Sequence, residues 1–345
     1  MVSKKSFLIL SFLLVVATSN FNVSALVVND PAYHVETYVT FQSHATRPPE
    51  DLTFAPNGNI YITNYENYNS TDGSVYRVET DKTVNRWVTG LTRPLGITWA
   101  GDNTYGDYLY VCEGWGNAYS QDGGVTRIGL DGTKTPFNTS GLDQPASITL
   151  DKTGEYGGYL YVGTSDSDSI QKILPNGQAQ LFFYFGNIGS GTPAGLAFAI
   201  DPGTSYGGYL YAATDYPSTP ALSGLVSFDT SGNPSDFAPD IVAARDLIFD
   251  DTEQGLFGGY LYILGSKSDD TNRKIYRVFP DGQTELFCSN ISGGGAMAWG
   301  PDGALYVVDS SWTDNTVIVS RIIPEPCSIC LLGLGGLALI KRRRN

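Results

Sequence analysis

The chain has 345 residues, 21 of them basic and 35 acidic, with 40 Gly, 22 Tyr and only 16% charged side chains. Lys4, Lys5, Lys341, Arg342, Arg343 and Arg344 crowd at the two ends; without them, and without Glu325, 15 basic side chains face 34 acidic ones. Such a field repels nucleic acid and anionic lipid and favours cations, and the Gly- and Tyr-rich, charge-poor remainder suits all-β structure.

Residues 1–25 read as a secretory signal: Lys4 and Lys5, an apolar run from Phe7 to Ala17, then Val23-Ser24-Ala25 as a cleavage site. The next predicted element is a strand over Glu36–Phe41. From there one phrase recurs. Gly157-Gly158-Tyr159-Leu160-Tyr161-Val162 returns at Gly207–Ala212 and Gly258–Ile263, with looser copies ending near Ile62, Val111 and Val307. Its second tyrosine falls at Tyr61, Tyr110, Tyr161, Tyr211, Tyr262 and Tyr306, in steps of 49, 51, 50, 51 and 44. A period near 50 residues marks one structural unit used repeatedly.

Each unit holds four predicted strands: a short apolar one such as Ile148-Thr149-Leu150, the Tyr-Leu-Tyr strand, a third such as Val125-Thr126-Arg127-Ile128, and an outer one such as Gln180–Phe183. Asp-Gly or Asn-Gly separates the last two at Asp131, Asn176 and Asp281. These are hairpin signals, because Gly takes positive φ without steric cost. Four antiparallel strands make a propeller blade, and six blades close a ring. The sixth unit runs out after three strands, near residue 322. The Glu36–Phe41 strand is expected to fill the vacant edge, since it continues through Thr46-Arg47-Pro48 as the first outer strand does through Thr92-Arg93-Pro94. The domain prediction is a signal peptide over 1–25, a six-bladed all-β propeller over 26–322, and a sorting or anchor segment over 323–345.

The last segment has Pro324-Glu325-Pro326, an apolar run from Cys327 to Ile340, and Lys341-Arg342-Arg343-Arg344. It resembles the bacterial PEP-CTERM sorting signal. That resemblance implies a short hydrophobic helix held transiently in the inner membrane, an exosortase-type processing enzyme as partner, and export to the envelope or exterior of a Gram-negative-type cell. Pro56-Asn57-Gly58-Asn59-Ile60-Tyr61-Ile62 is in turn similar to a phrase of the NHL and SMP-30/gluconolactonase-like propellers. This resemblance implies the six-bladed fold.

Four cysteines are too few for a disulfide scaffold. Cys327 and Cys330 lack the second Cys or His pair of a zinc site, and Cys112 and Cys288 read as small buried residues. Strand order places two sets of loops on opposite faces. One carries Asp102, Asp151, Asp201, Asp250 and Asp302, best explained as turn chemistry. The other carries Tyr65, Trp115, Tyr119, Tyr216 and Trp312 among carboxylates, which suits stacking of sugar rings; aromatics tucked over the blades are the alternative. At the start of the inner strands most units have Gly, Ser or Ala, whereas the first and fifth have Asp51 and Asp246, preceded by Glu50 and Arg245. Such carboxylates can hold a divalent cation such as calcium or form a structural clamp with the arginine. The SMP-30-like resemblance implies metal ligands at Glu50 and Asp309, but Ala194-Gly195 stands where that pattern has Asn-Gly. With His34 and His44 the only histidines, histidine acid–base chemistry has little to draw on. The residues alone therefore favour a non-catalytic binding or surface-matrix protein, engaging extracellular polysaccharide or an envelope protein. A metal-dependent lactonase using Glu50, Asp51, Asp246 and Asp309 is the rival reading.

Overall fold

The computed structural model describes residues 26–45, 47–65, 71–101, 104–114, 123–187, 192–198, 206–215, 224–250, 255–270, 272–310 and 314–325. Its strands form six antiparallel sheets arranged as the blades of a propeller. From the axis outward, blade 1 is Asp51–Phe54, Ile60–Asn64, Gly73–Val78 and Val84–Leu91. Blade 2 is Pro94–Trp99, Leu109–Glu113, Gly123–Ile128 and Lys134–Leu142. Blade 3 is Pro145–Leu150, Leu160–Thr164, Ser169–Ile173 and Ala179–Tyr184. Blade 4 is Thr192–Phe198, Leu210–Asp215, Leu225–Phe228 and Pro234–Asp236. Blade 5 is Ala243–Phe249, Leu261–Ser266, Lys274–Val278 and Thr284–Ser289. Blade 6 is Ala296–Trp299, Leu305–Ser310 and Thr316–Pro324, and its fourth strand is Tyr33–Gln42 from the start of the chain.

The closing strand runs antiparallel to the end of the chain, from Tyr33 opposite Pro324 to Gln42 opposite Thr316. Its side chains lock it there. Tyr33 stacks on Phe257 of blade 5 (4.9 Å), Tyr38 meets Tyr306 edge-on (5.2 Å), and Glu36 pairs with Arg321 (2.9 Å). A further strand was not foreseen from the sequence. Val27–Val28 adds a fifth strand to the outer edge of blade 5, opposite Ser289 and Cys288. Asp30 then pairs with Arg277 (3.0 Å). The N-terminal segment thus spans blades 5 and 6 as a strap. The predicted end at 322 falls inside the last strand, which continues to Pro324; Glu325 N donates to Ala32 O (2.7 Å).

The repeated tyrosine now has a physical reason. Its ring is buried between blades, and its hydroxyl reaches back to the turn before its own strand. Tyr110, Tyr161, Tyr211 and Tyr262 donate to the carbonyls of Tyr105, Tyr156, Tyr206 and Phe257 at 2.7–3.2 Å. Those turn residues in turn latch the next blade. Tyr105 OH donates to Ile173 O (2.5 Å) and accepts from Leu160 N (3.2 Å); Tyr156 OH does the same with Phe228 O (2.6 Å) and Leu210 N (3.0 Å). A ring that is both buried and hydrogen-bonded satisfies its polar atom at no desolvation loss. The acidic turn residues on this face also bond to backbone: Asp151 accepts from the amides of Thr153, Gly154, Tyr156 and Gly158, and Asp250 from those of Phe257 and Gly259. Turn chemistry accounts for them. Asp102 and Asp201 lie outside the described residues.

Apolar side chains collect into six layers, each between two neighbouring blades. Cys112 and Cys288 are buried free thiols within two of them. At the axis the blades approach closely. A Cβ on Gly195 would stand 2.8 Å from Asp246 Cα, and one on Gly96 2.8 Å from Ser147 Cα. Gly195→Val should therefore force blades 4 and 5 apart and cost about 1–3 kcal/mol, as for other overpacked sites. Urea unfolding checks this, and an unchanged midpoint would contradict it.

Candidate functional site

The six inner strands enclose an axial channel with a cavity of about 800 Å³. One end is lined by apolar and aromatic side chains from the ends of the inner strands, among them Phe54, Trp99, Phe249 and Trp299. The other end, at the starts of those strands, is charged: Arg47, Glu50, Asp51, Arg93, Arg245, Asp246 and Arg273 reach it.

The first axial position of each inner strand explains part of this set. Asp51 Oδ1 accepts from its own strand at Leu52 N (2.7 Å), and Oδ2 accepts from blade 2 at Ile97 N (2.8 Å). Asp246 repeats the arrangement between blades 5 and 6, with Leu247 N (2.8 Å) and Met297 N (2.6 Å). Ser147 makes the weaker version, donating to Pro193 O (3.1 Å). Each aspartate is thus a clamp that satisfies an amide of the following blade. Burial pushes the Asp51 carboxyl well above the usual range, the Asp246 charge adds to it, and the two N–H donors oppose both. Burial likewise raises Asp246 to about 7, against its two amides and Arg245. Arg245 forms an ion pair with Glu50. Burial, Arg273 and Arg47 lower Arg245 to about 10, so it stays protonated at neutral pH.

Arg47 and Arg93 occupy equivalent places, each just before a proline that leads into an inner strand. Arg93 sits at φ +45°, where non-glycine residues are uncommon. Both guanidinium groups lie over the Tyr65 ring, each 5.5 Å from its centre, and Arg47 also donates to Tyr65 OH (3.3 Å).

The residues expected at the site therefore divide. Glu50, Asp51 and Asp246 converge on the channel. Asp309 does not line it: its carboxylate accepts from Ser292 N, Gly293 N and Ser310 N, at 2.8–2.9 Å. With Asp309 off the channel and Glu50 paired with Arg245, these four do not form a cation cradle. Among the described residues, no three His, Cys, Asp or Glu side chains converge to hold a metal ion. Tyr65 is buried, 2% exposed, with its ring beneath two guanidinium groups. Trp115, Tyr119, Tyr216 and Trp312 lie outside the described residues, as do Pro326, Arg342, Arg343 and Arg344. Of the sorting motif, Pro324 ends the last strand, and the Glu325 carboxylate lies 3.1 Å from His34 Nδ1. No helix among the described residues is long and apolar enough to cross a membrane. Arg47, Arg93 and Arg273 were not singled out from the sequence. The repeated Arg-Pro before two inner strands was the available signal.

Solved structures share the fold. A gluconolactonase from Xanthomonas campestris aligns at 14% identity and TM-score 0.59, over 85% of this chain and 90% of its own. A protein described as an auxiliary nutrient binding protein from Bacteroides thetaiotaomicron aligns at 11% and 0.58, over 85% and 77%. A luciferin-regenerating enzyme aligns at 12% and 0.55, over 84% and 95%. Among curated proteins none matches the chain. The sequence profile of the SMP-30/Gluconolactonase/LRE-like region matches residues 6–180, half of the chain. The chain belongs to the SMP-30/Gluconolactonase/LRE-like family.

Proposed function

We propose that the charged end of the channel is the active site of a hydrolase that opens lactones or related small cyclic esters. The observation that carries this is the meeting of two carboxyl groups, Asp51 and Asp246, with Arg245 and Arg273 at one end of a cavity of about 800 Å³. Family membership and the gluconolactonase among the structures of like fold support the same class of substrate.

The chemistry follows from two neighbouring carboxyl groups, both raised by burial, that share one proton between them. Asp246, ionising near neutrality, takes a proton from water as its oxygen attacks the acyl carbon. Each of its oxygens keeps a lone pair beyond the one given to a backbone amide. Arg245 and Arg273 offset the negative charge that develops on the carbonyl oxygen. As the ring C–O bond breaks, Asp51, still protonated, donates to the departing alkoxide. The pair then holds the same single proton it began with, and the product is the hydroxy acid. Because the two acids interact, their apparent pKa values belong to the pair. No step is routed through a metal, since the described carboxylates do not form a site for one.

Turnover of a panel of γ- and δ-lactones by the parent and by Asp246→Asn tests this. Removing a general base typically costs 10²–10⁴-fold, so kcat is expected to fall by about that factor with KM within a few-fold. Lactone turnover that survives the substitution would defeat the assignment, and absence of turnover by the parent would defeat the hydrolase reading. The non-catalytic, glycan-binding reading relied on exposed aromatic faces, and the described member of that set, Tyr65, is covered. We also propose that the protein is exported to the cell envelope or exterior, and that an exosortase-type enzyme processes its tail in the inner membrane. The order of Pro324-Glu325-Pro326, the apolar run and Arg342-Arg343-Arg344 supports this. A pulse-chase in the source cell should show two successive losses of mass, one from each end; a single intact species would contradict it.

A further inference from the structure

We infer that the protein forms a two-fold dimer in which the outer strand of blade 3, Ala179–Tyr184, pairs antiparallel with the same strand of a second copy. The contact lies on the rim of the propeller, away from both ends of the channel, so it is independent of the activity proposed above.

A propeller leaves one sheet edge per blade on its rim, and such edges are templates for association unless they are blunted. Five of the six are blunted or covered here. The outer strand of blade 1 carries Arg86 and two shifts of register; that of blade 2 carries Lys134, Pro136 and two more. In blade 4 the strand has three residues, from Pro234 to Asp236. Blade 5 is covered by Val27–Val28, and the closing strand of blade 6 holds Glu36. The blade 3 strand, Ala-Gln-Leu-Phe-Phe-Tyr, has no charge and no proline. Among the described residues no strand covers it. Its one shift of register, between Ile170 and Gln171, seats both Phe182 and Phe183 on the layer between blades 3 and 4. Leu181 and Tyr184 are left outward, 61% and 45% exposed.

Charge selects the occupant. The folded part of the chain is strongly acidic, so two copies repel across almost any pair of faces. Between Lys172 and Asp201 there is no charged side chain and no histidine, although 16% of the chain is charged. The neutral surface continues onto blade 2 at Thr139, Ser140 and Gly141, which are exposed, and a Cβ on Gly141 would stand 3.4 Å from Ala179 Cβ. Here a second copy meets no repulsion. A strand that meets itself about a two-fold axis runs antiparallel to itself, so one uncharged edge supplies both halves of the contact. Pairing with any other edge of a second copy would set it against the charges, prolines or strap just described, which disfavours an open chain of copies. The chain already uses this geometry once, where Val27–Val28 joins blade 5 as an added outer strand. A six-residue strand pair with two large side chains on each copy buries less than the roughly 1,200 Å² of a stable interface, so the dimer is a weak one.

The experiment is analytical ultracentrifugation of the full folded chain from about 1 to about 100 μM, the range over which contacts of this size dissociate. The expected result is a reversible monomer–dimer equilibrium. Raising salt to about 1 M should strengthen it, because screening removes repulsion between the acidic bodies and leaves the apolar contact. Leu181→Lys should weaken the dimer roughly tenfold or more, since an edge lysine is itself a blunting device. Leu181 is mostly exposed, so the variant should keep the parent's urea midpoint. Val242→Lys, at another exposed apolar side chain, should leave the dimer unchanged. Hydrogen exchange locates the contact: amides of residues 179–184 should be better protected at the high concentration than at the low one. A monomer throughout, a dimer that Leu181→Lys retains, oligomers that grow without closing, or protection that rises elsewhere in the chain would each overturn the inference. Protection of residues 179–184 that appears only when an extract of the cell envelope is added would also overturn it, by placing a foreign strand there.

Discussion

A chain that begins at residue 43 should fail to fold. Removing residues 26–42 strips blade 6 of its outer strand and blade 5 of its strap. Tyr33, Val35, Tyr38 and Phe41, which pack on the layers beside blade 6, go with them, together with the Glu36–Arg321 and Asp30–Arg277 pairs. Domains of this kind are stable by only about 5–15 kcal/mol. These side chains are partly buried, so each contributes somewhat less than the about 1.5–3 kcal/mol of a fully buried one, and together they still consume a large share of that. The exposed edge of Thr316–Pro324 then becomes a template for association. Far-UV circular dichroism and gel filtration should report an aggregated or unfolded chain. A chain beginning at residue 32 loses only the strap and should fold with a lowered midpoint. If the chain beginning at 43 unfolds cooperatively at the parent's urea midpoint, the ring is not closed by this strand.

Asp246→Ala should have the next largest effect, and its size should depend on pH in a direction that separates a buried clamp from a surface charge. The substitution strands Met297 N–H at the junction of blades 5 and 6, at a cost of about 1–3 kcal/mol. The parent carries an opposing contribution. Its Asp246 is raised to about 7 in the folded state, mainly by burial, while in the unfolded chain it titrates near the ordinary carboxylate value of about 4. The folded protein therefore binds the proton more tightly. The stability this confers is present at pH 4 and is lost as pH rises through about 7, at most about 1.4 kcal/mol per unit of separation. The parent's advantage over Asp246→Ala should be greatest near pH 4 and should narrow toward pH 8. Urea denaturation at several pH values measures this. An advantage that grows with pH would mean that Asp246 is stabilised as an anion, and the assignment of a neutral-range base would fall with it.

Much of the architecture was legible because it is periodic. The tyrosine step fixed the number of blades, and the missing fourth strand of the last unit pointed to the segment around Tyr38. The strap at Val27–Val28 left no such trace: two residues cannot display a period, and their partner strand lies some 260 residues away. The candidate site was legible only in its carboxylates. Asp51 and Asp246 stood out against Gly, Ser and Ala at matching positions. Their partners, however, are the amides of Ile97 and Met297, and a backbone N–H carries no side-chain signature. Arg47 and Arg93 were visible as links into inner strands, where proline sets the chain direction, and that local role concealed their meeting over Tyr65. Arg273 sits in a loop that also holds Asp269 and Asp270, so composition alone marks it as solvated surface. Asp309 misled for a related reason: a late Asp after a Tyr-containing strand satisfies a sequence pattern, whereas its oxygens serve the turn at Ser292 and Gly293.

The most direct test of the account is the pH dependence of kcat/KM for a lactone substrate, recorded with and without a strong chelator. A rise of about tenfold per pH unit that levels off near pH 7, unchanged by the chelator, is the result expected of an Asp246 base acting with arginines. Turnover abolished by the chelator and restored by a divalent cation, or a profile flat from pH 5 to pH 8, would contradict it.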